Sequence, residues 1–115
     1  MLAGYESTSY ALIYCFYVLA TNKNEQDRLY DEIMSFKNNN NDSNLNEMKY
    51  LDMFCKEILR FYPISRVVRR CVKETTIKNI CMSQGLIVKI DVKSVHFDPE
   101  IWGSNSNVFD PTRFI

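Results

Sequence analysis

The chain has 115 residues, enough for one domain with a modest core. Fourteen basic and fourteen acidic residues leave a formal net charge of zero, so neither nucleic acid nor a charged membrane surface is signalled as a partner. Cysteines at 15, 55, 71 and 81 form no C-x-x-C, and the single histidine stands at zinc spacing from none of them; free, mostly buried thiols in a reducing compartment follow, with no metal site in the chain.

The first helix is expected from about Ala3 to Thr21, with Asn22 to Asn24 breaking it. Its run Tyr10 to Ala20 is eleven apolar residues, too short to span a bilayer and lacking a basic region before it, so no targeting or transmembrane segment is read. Apolar on all sides, it reads as a helix enclosed within a larger protein. A second, amphipathic helix follows from near Glu25 to Phe36, with Leu29, Ile33 and Phe36 on one face. Residues 37–46, with six asparagines between Asn38 and Asn46, read as a flexible solvated loop.

A third helix is expected over Asn46 to Phe61, where Met48, Leu51, Cys55 and Ile58 recur at three- and four-residue steps before Pro63 forces Tyr62 out of helix. Beyond it, Thr75 to Ile77, Ile80 to Met82 and Leu86 to Ile90 read as short strands, separated by turns at Lys78-Asn79 and Gln84-Gly85. From His96 onward two of the three prolines and little periodicity point to an irregular, packed meander. The fold class is therefore mainly α with a small β region.

Three constellations could carry chemistry. In AGYEST, Ala3 and Gly4 let a helix backbone approach a flat ligand or another element. Glu6, Ser7 and Thr8 then set an acid and hydroxyls within one helical turn, where a hydroxyl bonding back to a carbonyl can bend the helix and open a wet pocket suited to proton delivery. Glu57 and Arg60 in EILR are three apart; exposed, such a pair contributes about 0.3–0.5 kcal/mol, while buried it needs further donors, which Arg113 of DPTRF can supply. Arg66, Arg69, Arg70 and Lys73 form the one basic cluster, in a strand-like context that argues against nucleic acid. His96 is more simply a hydrogen-bonded packing residue than a ligand.

Small-Gly-x-acid-hydroxyl, then E-x-x-R 51 positions after Glu6, then P-x-R-F, resembles the C-terminal half of a cytochrome P450 across essentially all 115 residues. His96-Phe97-Asp98-Pro99 with Trp102 is similar to the segment that precedes the family's meander. The resemblance implies a partial P450 fold: the end of the central helix, two following helices, short strands and the start of the meander. Residues 1–115 would be part of a single catalytic domain truncated at both ends. Glu6 takes the place of the family's proton-relaying acid and Ser7 that of its alcohol, though the family usually has threonine there. Serine keeps the hydroxyl and loses the methyl that fixes its rotamer.

By the same resemblance, Ala3 and Gly4 pass the haem face, and Glu57, Arg60 and Arg113 form a buried triad that pins the meander, with Thr112 where glutamate is usual. An arginine that meets a haem propionate is Arg70 by gap-free counting from Arg60 and Arg69 by anchoring on Ile77; both stay open. The family's haem-ligating cysteine loop is not matched by any of the four cysteines, so the chain alone is expected to be inactive. The parent would be a haem monooxygenase that inserts one oxygen atom from O2 into an apolar substrate. An NADPH-dependent reductase would donate electrons on the cytosolic face of the endoplasmic reticulum membrane. The AGYE string is most like the microsomal drug- and steroid-oxidising branch. A catalytically inactive truncated product or interaction module of the same ancestry is the alternative reading.

Overall fold

The computed structural model describes residues 3–39, 47–64 and 66–115. Helix α1 spans Ala3–Thr21, α2 Lys23–Asn39 and α3 Lys49–Phe61. Asn22 alone separates α1 from α2: its N–H donates to Val18 O (2.8 Å) while its carbonyl accepts from Gln26 N (3.1 Å). The break expected over Asn22–Asn24 therefore shrinks to one residue. A Lys23–Asp27 pair (2.7 Å) also lies within the first turn that sequence periodicity missed.

At its other end α2 reaches Asn39, three residues into the stretch read as loop; 40–46 lie outside the described residues. Helix α3 begins at Lys49 rather than Asn46, and its N-cap, Met48, offers no side-chain acceptor. Glu32 of α2 substitutes, accepting from Tyr50 N (2.7 Å) and Leu51 N (2.9 Å). Pro63 ends α3 as expected, and Tyr62 N makes the last bond, to Ile58 O (2.8 Å).

Val18, Leu29, Phe54 and Ile58, one or two from each helix, form the buried core. Tyr14 and Tyr62 stack beside it at 4.4 Å between ring centroids, and Phe109 packs edge-on to Phe54. Only one stripe of α1 is covered by these 115 residues: Leu12, Ile13, Phe16 and Tyr17 are exposed. The radius of gyration, 18.7 Å, exceeds the roughly 13 Å of a compact domain of this length, which fits helices that share one small corner.

Four strands form two antiparallel pairs. Strand β1 (Val67–Arg70) runs through the basic cluster and pairs with β4 (Ile87–Ile90), with Arg69 opposite Val88 and Arg70 opposite Ile87. Strands β2 (Thr75–Ile77) and β3 (Ile80–Met82) are joined through Lys78-Asn79. Lys78 itself takes the left-handed conformation (φ 52°) that this two-residue turn demands. The mainly helical class with a small β part is what the sequence predicted.

The segment expected from His96 as an irregular, packed meander is entered by a short helix, α4 (Val92–His96), and carries two more short helical turns, α5 (Pro99–Trp102) and a 3-10 turn over Pro111–Phe114. Each is started by an aspartate. Asp91 accepts from Ser94 N (3.2 Å), Asp98 from Glu100 N (2.9 Å) and Asp110 from Thr112 N (3.0 Å). Turns of four or five residues are too short to leave a periodic signature, but D-P at two of the three starts is a legible cap.

Candidate functional site

The sequence motifs separate into three places. The first is the amino end of α1. Ala3 is its first residue; that side chain is outside the described residues. A Cβ added at Gly4 would meet nothing within 4 Å, so this flank of the helix is open rather than pressed against a neighbour. Glu6 is exposed. Thr8 Oγ1 donates to Gly4 O and Ser9 Oγ to Tyr5 O, both at 2.8 Å, so two consecutive hydroxyls turn back onto the helix.

Ser7, Thr8 and Ala11 form one wall of a groove of about 480 Å³. Leu59, Pro63, Ile64, Val92 and His96 complete it. The groove exists because Pro63 turns the chain away from α3 while α4 returns beside it. Ser7 and Thr8 therefore stand opposite a largely apolar wall.

The second place is the buried charge cluster. Arg60 Nε donates to Glu57 Oε2 and Arg60 Nη2 to Glu57 Oε1, both at 2.7 Å, a bidentate pair in which the two side chains are 2% and 0% exposed. Glu57 Oε1 also accepts from Arg113 Nε (3.3 Å) and from the backbone N–H of Asp110 (2.8 Å). Arg60's remaining donors go to the carbonyls of His96 (2.6 Å), Ser106 (2.9 Å) and Val108 (3.3 Å). Arg113 likewise bonds the carbonyls of Trp102 (3.2 Å), Asn105 (3.0 Å) and Val108 (3.1 Å). The rings of Phe61, Phe97 and Trp102 pack around the Arg60 guanidinium at 5.2–5.5 Å.

With five N–H donors on each guanidinium accounted for, the ions are buried without orphaned groups. No buried side-chain nitrogen or oxygen lacks a partner among the described residues. Beside this cluster the Thr112 hydroxyl (2.6 Å), reinforced by Arg113 and Arg28, holds the Asp110 carboxyl below its ordinary range.

The third place is a cup of about 400 Å³ between the two strand pairs, lined by Arg69, Arg70, Cys71, Val72, Met82 and Val88 among others. Both arginines are exposed; Arg69 Nη1 donates to Val68 O (2.9 Å). The structure thus brings Glu57, Arg60 and Arg113 together and sets Ser7 beside Thr8 on one groove wall. It puts Arg69 and Arg70 in a separate cavity, without distinguishing one from the other.

The cysteines are all free, but Cys55 and Cys81 are exposed, which corrects the expectation of mostly buried thiols. None lines the groove. Partial desolvation pushes the Cys15 thiol up, with Cys55 adding to it, and the neighbours that partly cover the Cys55 sulfur, with Asp52, do the same there although the residue as a whole is exposed. No group of three His, Cys, Asp or Glu side chains able to hold a metal occurs among the described residues, and no described helix is long and apolar enough to cross a membrane.

Sequence reasoning missed the carbonyls of His96, Ser106 and Val108, the Asp110 amide and the α3 cap by Glu32. Backbone acceptors leave no residue-type signal. His96 could have been suspected only as a polar residue between apolar neighbours, while Ser106, between two asparagines, carries no such signal.

Known proteins match this chain along its whole length. A family model described as cytochrome P450 covers residues 1–115. Caenorhabditis elegans CYP13A5 is 34% identical over 118 residues, covering 99% of this chain and 23% of the relative. CYP13A3 is 35% identical over 124 residues, with the same coverage. The cyp-13B1 protein of that organism is 34% identical over 119 residues, covering 100% of this chain and 23% of the relative. The chain therefore spans about a quarter of the length of these curated relatives, each of them named a cytochrome P450. A match that runs through the α1 motif, the Glu57–Arg60 pair and the closing P-T-R-F alike leaves one conclusion: the chain belongs to the cytochrome P450 family.

Proposed function

We propose that the protein carrying this chain is a haem-thiolate monooxygenase that inserts one oxygen atom from O2 into an apolar organic substrate, with electrons from an NADPH-dependent reductase. The observation that carries the reading is the groove itself, where Ser7 and Thr8 stand opposite the apolar Leu59, Pro63, Ile64 and Val92. An open Gly4 flank and the Ser7–Thr8 wall fit a flat, largely apolar cofactor, and Arg69 and Arg70, exposed in a separate cavity, are the candidate partners for its peripheral carboxylates. No cysteine lines the groove, so the thiolate that would hold the haem iron would not come from its walls. We therefore assign these residues the proton-delivery wall and the propionate arginine, within one domain of a longer enzyme.

When bound, haem supplies the redox centre at which dioxygen is reduced and an oxygen atom transferred. The chain's part is to move protons and exclude water. Exposed Glu6 takes a proton from solvent, and the adjoining hydroxyls pass it into the groove. Thr8 donates its one hydroxyl hydrogen to Gly4 O, so it can accept in that relay but passes a proton on only by turning from Gly4 O toward the groove. Leu59, Pro63 and Ile64 hold the opposite side dry. The Glu57 cluster performs no chemistry and fixes the end of α3 against the segment up to Phe114.

The Ala3–Glu6 string supports placement with the microsomal drug- and steroid-oxidising branch, hence on the cytosolic face of the endoplasmic reticulum. A reduced carbon-monoxide difference spectrum, with product analysis on apolar substrates, tests the reading in the whole polypeptide. A thiolate-type Soret band with oxygenated product is the expected result; the absence of both overturns it. The 115-residue chain alone is expected to show no such band.

A further inference from the structure

We propose that His96 is a positioning residue that locks the C-terminal end of α3, and with it the Arg60 guanidinium, to the α4 wall of the groove. Helix α3 ends at Phe61, so the carbonyls of its last turn have no partner further along the helix. The Arg60 carbonyl is met by the imidazole: His96 Nδ1 lies 3.0 Å from Arg60 O. A carbonyl can only accept, so Nδ1 carries the hydrogen, and in the neutral ring Nε2 does not. In return, Arg60 Nη1 donates to His96 O at 2.6 Å. Each residue is thus bonded once through its side chain and once through its backbone.

The surroundings hold this latch in one orientation. Trp102 stands edge-on to the imidazole, 6.5 Å between centroids and 75° between planes. Its Nε1 donates to Val95 O (3.1 Å), tying α5 back to α4. Ser106 Oγ donates to Phe97 O (2.8 Å), and the Phe97 ring packs on the Arg60 guanidinium. His96 also lines the groove with Ser7 and Thr8. It therefore belongs both to the buried charge cluster and to the wall facing the hydroxyls, and a shift of either is passed to the other through two hydrogen bonds. The H-F-D-P…W segment acquires a purpose independent of any cofactor: Asp98 starts α5, Trp102 braces the ring, and His96 makes the latch.

His96 is the only histidine in the chain, so a ¹⁵N spectrum of the 115-residue protein reads this ring without assignment. At mildly alkaline pH the latch predicts a protonated Nδ1 and an unprotonated Nε2. The Nε2–H tautomer, or an averaged mixture of the two, would overturn it. The second arm compares variants in denaturant unfolding. His96→Asn places an amide N–H where Nδ1–H stood, and should keep the unfolding equilibrium constant within about threefold of the parent. His96→Ala, His96→Gln and His96→Phe orphan the Arg60 carbonyl, and should each raise that constant about tenfold or more. If Asn loses as much as Ala while Phe is tolerated, His96 merely fills space and the latch is wrong.

Discussion

The buried cluster around Glu57 and the amino end of α1 solve opposite problems. In the cluster every donor of Arg60 and Arg113 ends on an acceptor inside these 115 residues, and Glu57 is fully buried. At α1 the Gly4 flank is open, Glu6 is exposed, and the Ser7–Thr8 wall faces a groove rather than a packed neighbour. The first arrangement is complete in itself and holds shape. The second presents Ser7 and Thr8 along a groove of about 480 Å³ instead of a packed neighbour. On the proposed function, stability and chemistry are carried by different ends of the same three-helix corner, and substitutions should sort accordingly.

The largest effect is expected from Glu57→Ala, which leaves Arg60 and Arg113 buried without their carboxylate, a loss of about 3–5 kcal/mol. Circular dichroism should show this variant unfolded or melting far below the parent; a midpoint within a few degrees would break the comparison. Glu32→Ala is next. It removes the acceptor of Tyr50 N and Leu51 N and should cost about 0.5–2 kcal/mol by urea unfolding, with no help from Met48. Its signature is faster hydrogen exchange at those two amides.

Asp110→Asn should be milder and dependent on pH. Its carboxyl sits below the ordinary range, first through the Thr112 hydroxyl. A depressed folded value means the stabilisation is present above the unfolded range near pH ~3.9 and disappears as pH falls through the folded value. The gap between parent and variant in urea midpoint should therefore be open at pH 7 and close in strong acid. Ser7→Ala and Glu6→Gln should lie within about 0.5 kcal/mol of the parent, because neither residue belongs to the buried core.

Much of this division was legible in the residues themselves. Pro63 and the Met48-Leu51-Cys55-Ile58 spacing marked α3, and Lys78-Asn79 marked its hairpin, because proline geometry and two-residue turns act locally. The start of α2 was missed because a polar first turn, Lys23 to Gln26, has no apolar period to read. The three Asp-started turns after Asp91 were missed for the same reason of length. E-x-x-R and P-x-R-F pointed to one contact 53–56 residues apart along the chain, but the carbonyl ring that closes it belongs to the backbone and has no letter code. Which stripe of α1 is covered was not legible, since an all-apolar helix does not say which of its faces has a neighbour.

The central claim is that the groove hydroxyls carry chemistry while the Glu57 cluster carries only the scaffold. Its most direct test is product formed per NADPH consumed, measured together with haem content, for Ser7→Ala in the whole enzyme. Haem content unchanged, the ratio lowered and peroxide raised is the predicted result, with Ser7→Thr restoring the ratio through a fixed rotamer. An unchanged ratio, or loss of haem on removing one groove hydroxyl, would contradict the account.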